Sequence, residues 1–198
     1  MKKVTAFLIL SVFLSNVSFS QQGTKLYKNL IEGMSIKDAK KEIKKNKSDY
    51  NEVSFGNGFQ WTIKSTGLIK KDKKSDALYG VFLWPKGTLL SGLGYDGTVN
   101  YLNASSKFFL DRGYTELLKN QWWNAPQNFT TANYKYGLVL LSPDKTRVVH
   151  LYPVDMLLMD GKTKTNQAYI KLFSKGAWDE MMEEEDQKKS QDTSNTDF

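Results

Sequence analysis

The most regular apolar pattern lies in the segment IKDAKKEIKKN, residues 36–46. Apolar residues recur there every three or four positions, which places them on one face of a helix. Ser35 immediately precedes the segment, and Asp38 lies three residues after Ser35, which is the spacing of a capping box. We therefore predict a helix from about residue 36 to Asn46. Its core-facing residues are Ile36, Ala39 and Ile43.

Four later segments carry strand patterns. NEVSF and GFQWTIK are separated by Gly56 and Asn57, which predicts a hairpin with a tight turn. LYGVFLWP is rich in aromatic and β-branched residues, and Pro85 should end that strand. RVVHLYPVDMLLMDGKTKTNQAYIKLF predicts a second hairpin that turns at Asp160 and Gly161. The Lys-rich stretch 65–76 and the glycine-bearing SGLGYDGT are expected to be loops.

Two further helices are predicted. One should begin at Asn103 or Ser105 and stop near Gly113, which is a suitable residue to follow a helix. The other is AWDEMMEEEDQKK, capped by Ser174, and everything after about Ser190 is expected to be disordered.

A near-repeat links the two halves of the chain. LYGVFLWPKGT at residues 78–88 is echoed by KYGLVLLSPDKT at 135–146, and further matches occur in the same order with a shrinking separation. The matched pairs are Tyr50 with Tyr114, Trp61 with Trp123, and Tyr79 with Tyr136. The order favours two copies of one helix-plus-strands unit, although chance similarity between amphipathic strands is the alternative.

The predicted fold class is α+β, with two tandem helix-plus-antiparallel-sheet units, a C-terminal helix and an acidic tail. The first unit is assigned to residues 21–102 and the second to 103–178. Residues 179–198 form the acidic helix end and the tail.

The first twenty residues, MKKVTAFLILSVFLSNVSFS, are typical of a secretory signal peptide, with cleavage expected between Ser20 and Gln21. Their apolar run is shorter than the roughly 20 residues that cross a bilayer, so no integral membrane segment is expected after cleavage. The chain contains no cysteine, so it cannot carry a lipoprotein anchor or a disulfide. We expect a periplasmic or secreted protein.

Charge is distributed unevenly along the chain. The formal net charge is +7, but residues 179–198 hold eight acidic residues against two lysines. The remainder is therefore more basic than the total indicates. A basic body attracts acidic proteins, anionic lipids, anionic glycans or nucleic acid, and export makes nucleic acid the least suitable partner.

Catalytic and metal-binding residue types are scarce. The chain has one histidine, His150, which lies in an apolar strand pattern and is expected to be a sheet residue. Ser142 and Lys145 have the Ser-x-x-Lys spacing, but SPDK after a strand is typical of a hairpin turn. We predict no cofactor, no metal and no enzymatic activity.

Two sets of residues are candidates for binding. The first is the lysine flank of the predicted first helix, where like charges four residues apart are tolerated at a cost of a few tenths of a kcal/mol per pair. It comprises Lys37, Lys40, Lys41 and Lys44. The second is an aromatic group that could contact a partner or a sugar ring, comprising Trp122, Trp123, Tyr134 and Tyr136.

The segment LIEGMSIKDAKKEIKKN resembles the Gly-Met-Ser/Thr opening of the first helix in outer-membrane assembly lipoproteins of the BamE/SmpA-OmlA type. The doubled helix-plus-sheet plan is similar to that of the secreted β-lactamase-inhibitor protein. Both resemblances imply a protein that acts by contact with another protein. In this chain, Asn-Lys-Ser-Asp replaces the glycine-proline turn of the lipoproteins, and the paired cysteines of the inhibitor family are absent.

The expected function is binding of another envelope or secreted protein, as an assembly factor or as an inhibitor of the immunity type. An acidic protein is the expected partner. The alternative is a protein that binds a glycan or another anionic polymer through exposed aromatic residues and the lysine flank. An envelope hydrolase is a third interpretation.

Overall fold

The computed structural model describes residues 23–56, 58–88, 90–118, 123 and 137–194. The predicted signal peptide and three of the candidate aromatic residues, Trp122, Tyr134 and Tyr136, lie outside the described residues. The helices are α1 (Ile36–Lys45), α2 (Lys47–Asn51), α3 (Gly94–Leu110) and α4 (Lys175–Ser194). The strands are β1 (Lys25–Tyr27), β2 (Leu30–Ile31), β3 (Val53–Ser54), β4 (Gln60–Thr62), β5 (Leu68–Lys70), β6 (Leu78–Pro85), β7 (Thr115–Leu118), β8 (Leu138–Leu141), β9 (Arg147–Leu157) and β10 (Lys164–Ser174).

The protein is an α+β molecule built on one antiparallel sheet. Within the described ranges the sheet has the order β3-β4-β6-β10-β9-β8-β7, and β5 also pairs with β6, at Leu78, Gly80 and Val81. The long hairpin β9–β10 lies at its centre, with Ile170 opposite Leu151 and Lys171 opposite His150. Strands β1 and β2 form a separate two-stranded ribbon.

Helices cover both faces of the sheet. Successive residues of a strand point to opposite faces, and Leu172 accordingly belongs to the main core while Phe173 belongs to a second cluster. The main core contains the buried faces of α1 and α3. The second cluster lies under α4 and includes Ala177 and Trp178.

The first helix, both predicted hairpins and the strand ending at Pro85 are present. In the first hairpin β3 ends at Ser54 and β4 begins at Gln60, so the connection is longer than the tight turn that was predicted.

The start of the second helix was predicted wrongly, since α3 begins at Gly94 inside the expected loop, whereas its end at Leu110 agrees with the predicted stop near Gly113. Two of its buried positions are the polar residues Thr98 and Ser105, which interrupt the apolar period. The Thr98 hydroxyl donates to Gly94 O, and the Ser105 hydroxyl accepts from the Trp61 indole N–H. Both buried hydroxyl groups therefore have hydrogen-bond partners, although this face of the helix is not wholly apolar.

Three smaller differences concern the loops and the tail. The Lys-rich stretch 65–76 contains a 3₁₀ turn at Ser65–Gly67 followed by β5. The helix α4 continues to Ser194, past the residue where disorder was expected. The boundary proposed between residues 102 and 103 falls inside α3. The tandem-unit arrangement stays a prediction.

Candidate functional site

The helix α1 has a capped start and a fixed orientation. The Asp38 amide donates to Ser35 Oγ at 3.1 Å, and the Ser35 hydroxyl donates to the Asp38 carboxylate at 2.8 Å. Burial of Ile36, Ala39 and Ile43 fixes which face is inward. The lysines of the flank are therefore held outward, and all four are exposed.

The acidic residues of α1 are already engaged on the other side of the helix. Glu42 Oε1 accepts hydrogen bonds from Asn29, Asn46 and Tyr50, at 2.8, 2.8 and 3.0 Å. These bonds hold the pKa of Glu42 below its usual value, the Asn29 bond most strongly. Asp38 bonds Ser35 and forms an ion pair with Lys41 at 3.2 Å, and both contacts lower its pKa. Asp38 therefore offsets charge at Lys41 and, more weakly, at Lys37, whereas the hydrogen bonds of Glu42 go to uncharged groups.

A groove of about 530 Å³ lies beside the lysine-bearing side of α1. Four lysines line it, and we call it the lysine groove: Lys40, Lys44, Lys47 and Lys64. Ile43 and Ile63, both buried, supply its apolar floor. Ser65 and Thr66 add hydroxyls from the 3₁₀ turn that faces the helix.

No acidic residue is among the described residues that line the lysine groove. The ion pairs found within the described ranges involve other lysines, so none of the four groove lysines has a carboxylate within 4.0 Å there. Lys64 lies 5.9 Å from the ring centroid of Trp84, which is a cation–π contact at the far wall. The groove thus concentrates positive charge over an apolar floor.

The structure separates the four lysines that were predicted as one surface. Lys40 and Lys44 line the groove, whereas Lys41 pairs with Asp38 and Lys37 is not among the lining residues. Lys47 and Lys64 were missed. Lys47 begins α2 after α1 has ended, and Lys64 immediately precedes the 3₁₀ turn that contacts α1, so only the folded chain brings these two lysines to the groove.

The aromatic candidate set has one described member. Trp123 is 2% exposed, and its indole N–H donates to Asn103 Oδ1 at 2.7 Å. It therefore packs in the core and offers no free ring face to a ligand. The other three members lie outside the described residues.

His150, Ser142 and Lys145 serve the packing of the sheet and the closing of a turn. His150 is a buried residue of β9, as predicted, and its ring stacks on Tyr152 at 4.5 Å between centroids. Ser142 Oγ bonds Asp144, and the Lys145 amide donates to Ser142 O, which closes a turn. Among the described residues, no three His, Cys, Asp or Glu side chains are grouped so that they could hold a metal.

None of the helices in the described part of the chain is both long enough and apolar enough to cross a bilayer.

Comparison of the chain with protein-family models, with curated proteins and with solved structures gave no match. The resemblances noted for the first helix and for the doubled plan therefore stay expectations.

Proposed function

We propose that this chain is a non-catalytic binding protein that holds an acidic segment of another protein in the lysine groove. The observation that carries the proposal is the set of four lysines around an apolar floor, without an acidic lining residue in the described part of the chain. Like charges held near one another are disfavoured, and an anionic partner removes that cost. Binding of an anionic partner at this surface is therefore electrostatically favourable.

The floor of the groove narrows the chemistry of the partner. Ile43 and Ile63 can take apolar side chains, while the surrounding ammonium groups take carboxylates. A segment in which acidic residues flank one or two apolar residues matches both features. A fully hydrophilic polyanion uses only the charges and leaves the apolar floor without a partner.

The setting of this binding follows from the predicted signal peptide. If residues 1–20 direct export, the partner is an envelope or secreted protein, and the chain acts as an assembly factor or as an inhibitor of the immunity type. The resemblances of the first helix and of the doubled plan agree with action by protein contact.

The binding test uses a short fluorescent peptide in which glutamates flank two leucines, with fluorescence anisotropy as the measurement. Two variants of α1 form a matched pair, Lys40→Gln/Lys44→Gln and Lys37→Gln/Lys41→Gln. Each removes two charges and one repulsive pair at four-residue spacing from the same helix, and the second also removes the exposed ion pair between Lys41 and Asp38. Only the first removes lysines that line the groove. We expect the first to weaken binding about tenfold and the second to change it little.

Two further measurements decide the partner class. Raised ionic strength should slow association more than it speeds dissociation, since screening acts on long-range attraction. A peptide with glutamine in place of glutamate should not bind. Equal weakening by both variants would mean that only the net charge matters. Tighter retention by a sulfated polysaccharide than by the peptide would favour the alternative of an anionic-polymer binder.

A further inference from the structure

A second cavity lies where α3, β1 and the central hairpin β9–β10 meet, and it collects an unusual set of side chains. The chain contains two arginines, and both line this cavity of about 340 Å³. We call it the arginine pocket. Its described lining residues with aromatic rings are Tyr27, Phe55, Phe108, Phe109 and Tyr114. Leu26 and Leu172 complete the apolar wall, and Lys28 lies among the lining residues.

Arg112 is oriented by stacking. Its guanidinium carbon lies 3.5 Å from the ring centroid of Phe108, and one terminal nitrogen donates to Phe108 O at 3.1 Å. A stacked guanidinium keeps its remaining N–H groups in the plane of the fork, where they can meet a carboxylate. Arg112 is exposed, so holding it in this position does not depend on burial.

Arg147 enters the same pocket from the first residue of β9. Its terminal nitrogens donate to Tyr114 Oη and to Leu26 O, the latter at 3.3 Å. Its Nε is buried and has no acceptor among the described residues. Neither arginine has a carboxylate within 4.0 Å in the described part of the chain, and Lys28 is paired with Asp49 at 3.8 Å. The nearby Asp144 is bonded by Ser142 and Thr146, and its charge also interacts at longer range with Arg147.

The aromatic side chains form the remainder of the pocket wall. Phe109 lies 4.9 Å from Phe55 and 5.0 Å from Tyr114 between ring centroids, so three rings are linked in one cluster. Such walls favour a flat apolar body through tilted and edge-to-face contacts. The volume is at the lower end of the range that small-molecule sites occupy, which is roughly 300–1,000 Å³.

We infer that the arginine pocket binds a small organic anion that joins a carboxylate to an aromatic ring. The carboxylate lies against the two guanidinium groups, where it accepts charge-assisted hydrogen bonds, including one from Arg147 Nε. The ring lies among Phe55, Phe109 and Leu172. The same chemistry occurs in a free aromatic acid and in a chain terminus that ends in phenylalanine.

The test uses the ¹⁵N-labelled full chain with phenylacetate as the probe. Because there are two arginines, the Nε–Hε region of the NMR spectrum contains two side-chain signals. We expect both to shift together and to give one dissociation constant. Acetate, which lacks the ring, and 2-phenylethanol, which lacks the charge, should each bind at least about tenfold more weakly.

Variants separate this pocket from the lysine groove. Arg112→Gln should weaken phenylacetate binding about tenfold, and Arg112→Lys should restore only part of it, since an ammonium lacks the planar fork. Lys40→Gln carries the same charge change in the lysine groove and should leave the dissociation constant unchanged. Arg112 is exposed, so these variants should have the same melting temperature as the wild type. Arg147→Lys, with melting as a check on folding, provides the second arginine test.

The two sources of the ligand are distinguished by a tripeptide that ends in phenylalanine and by its C-terminal amide. Tighter binding of the free acid than of phenylacetate assigns the site to a chain terminus, and equal or weaker binding assigns it to a free acid. The inference is overturned if the amide binds as well as the acid, if acetate matches phenylacetate, if Lys40→Gln weakens binding as much as Arg112→Gln, or if no arginine signal shifts.

Discussion

At the scale of single residues, the glycines of the two Tyr-Gly steps, Gly80 and Gly137, allow close packing of a neighbouring ring. A Cβ on Gly80 would lie 2.5 Å from Phe173 Cε1, and a Cβ on Gly137 would lie 2.2 Å from His150 Nε2. Each glycine thus makes room for a ring carried by the neighbouring strand of the central hairpin. Tyr136 lies outside the described residues, so equivalence of the two tyrosines stays a prediction.

We expect Gly80→Ala to lower the free energy of unfolding by about 1–3 kcal/mol, because the added methyl group forces the Phe173 ring out of its packed position. Urea denaturation followed by tryptophan fluorescence measures the change. Gly176→Ala is the control, since a Cβ there meets nothing within 4 Å and alanine favours the helix α4. A Gly80→Ala variant as stable as the control would mean that the ring has room to move.

His150 is the residue whose titration should be most visible in the stability. Burial lowers its pKa from 6.5 to about 3, and repulsion by Lys171 contributes less. Between those values the unfolded chain binds a proton that the folded protein does not. Stability should therefore be complete above about pH 6.5 and fall as the pH decreases towards 3, by about 1.4 kcal/mol per pH unit from this group.

Replacement of His150 by phenylalanine should remove this contribution while it keeps a ring stacked on Tyr152. From pH 7.5 to pH 5, we expect the variant to lose about 2 kcal/mol less of its free energy of unfolding than the wild type does. Urea titrations at the two pH values give the comparison. Parallel losses in both proteins would show that His150 is protonated in the folded state at pH 5.

At the scale of elements, the junction of β10 and α4 depends on one hydroxyl group. Ser174 Oγ accepts from the Ala177 amide at 2.9 Å, as expected of a cap, and donates to Glu32 at 2.6 Å. The first turns of α4 are also tied to the sheet, because the Tyr79 hydroxyl donates to Ala177 O and Glu180 accepts from Lys71. The acidic helix is thus anchored by its start.

Ser174→Ala should cost about 1–2 kcal/mol of stability, since both the cap and the bond to Glu32 are lost at a buried position. Thermal unfolding followed by circular dichroism measures it. Ser48→Ala is a matched serine in an exposed helical position and should have little effect. If the two variants unfold at the same temperature, the anchor of α4 lies in Trp178 and its neighbours instead.

At the scale of the whole molecule, the central hairpin joins the two halves of the chain. β10 pairs with β6 on one side and with β9 on the other, so the strands on both sides depend on it. The Trp61 indole also donates to Ser105 at 3.1 Å across the proposed boundary. A strand of the proposed first unit, β6, therefore has a strand of the proposed second unit, β10, as a neighbour in the sheet.

A fragment of residues 21–102 should therefore be unfolded in isolation. In that fragment β6 lacks its neighbouring strand β10, and Leu83 lacks Ile170, the residue opposite it. Dispersion in the ¹H–¹⁵N spectrum is the measurement, and the chain from residue 21 to 198 under the same conditions is the control. A well-dispersed spectrum of the fragment would instead favour an independent first unit.

Local signals in the sequence were sufficient for much of the fold and for half of the groove. A capping box with an apolar period predicted α1, and paired strand patterns around Gly56 and Gly161 predicted two hairpins. The start of α3 could not be predicted from the sequence. Thr98 and Ser105 are polar residues on its buried face, and the hydrogen bonds that allow their burial form only in the folded chain. Lys40 and Lys44 were predicted as binding residues, whereas Lys64 joins them from a distant strand.

Periodicity, capping and charge act over a few residues, so the sequence by itself determined the α+β class, the orientation of α1 and the basic body with its acidic end. Contacts between distant residues depend on the path of the chain. The tertiary structure alone decided that α1 meets the turn at Ser65–Gly67 to form the lysine groove, and that Arg112 and Arg147 share one pocket. It also buried Trp123, because a side chain's exposure is set by what packs against it.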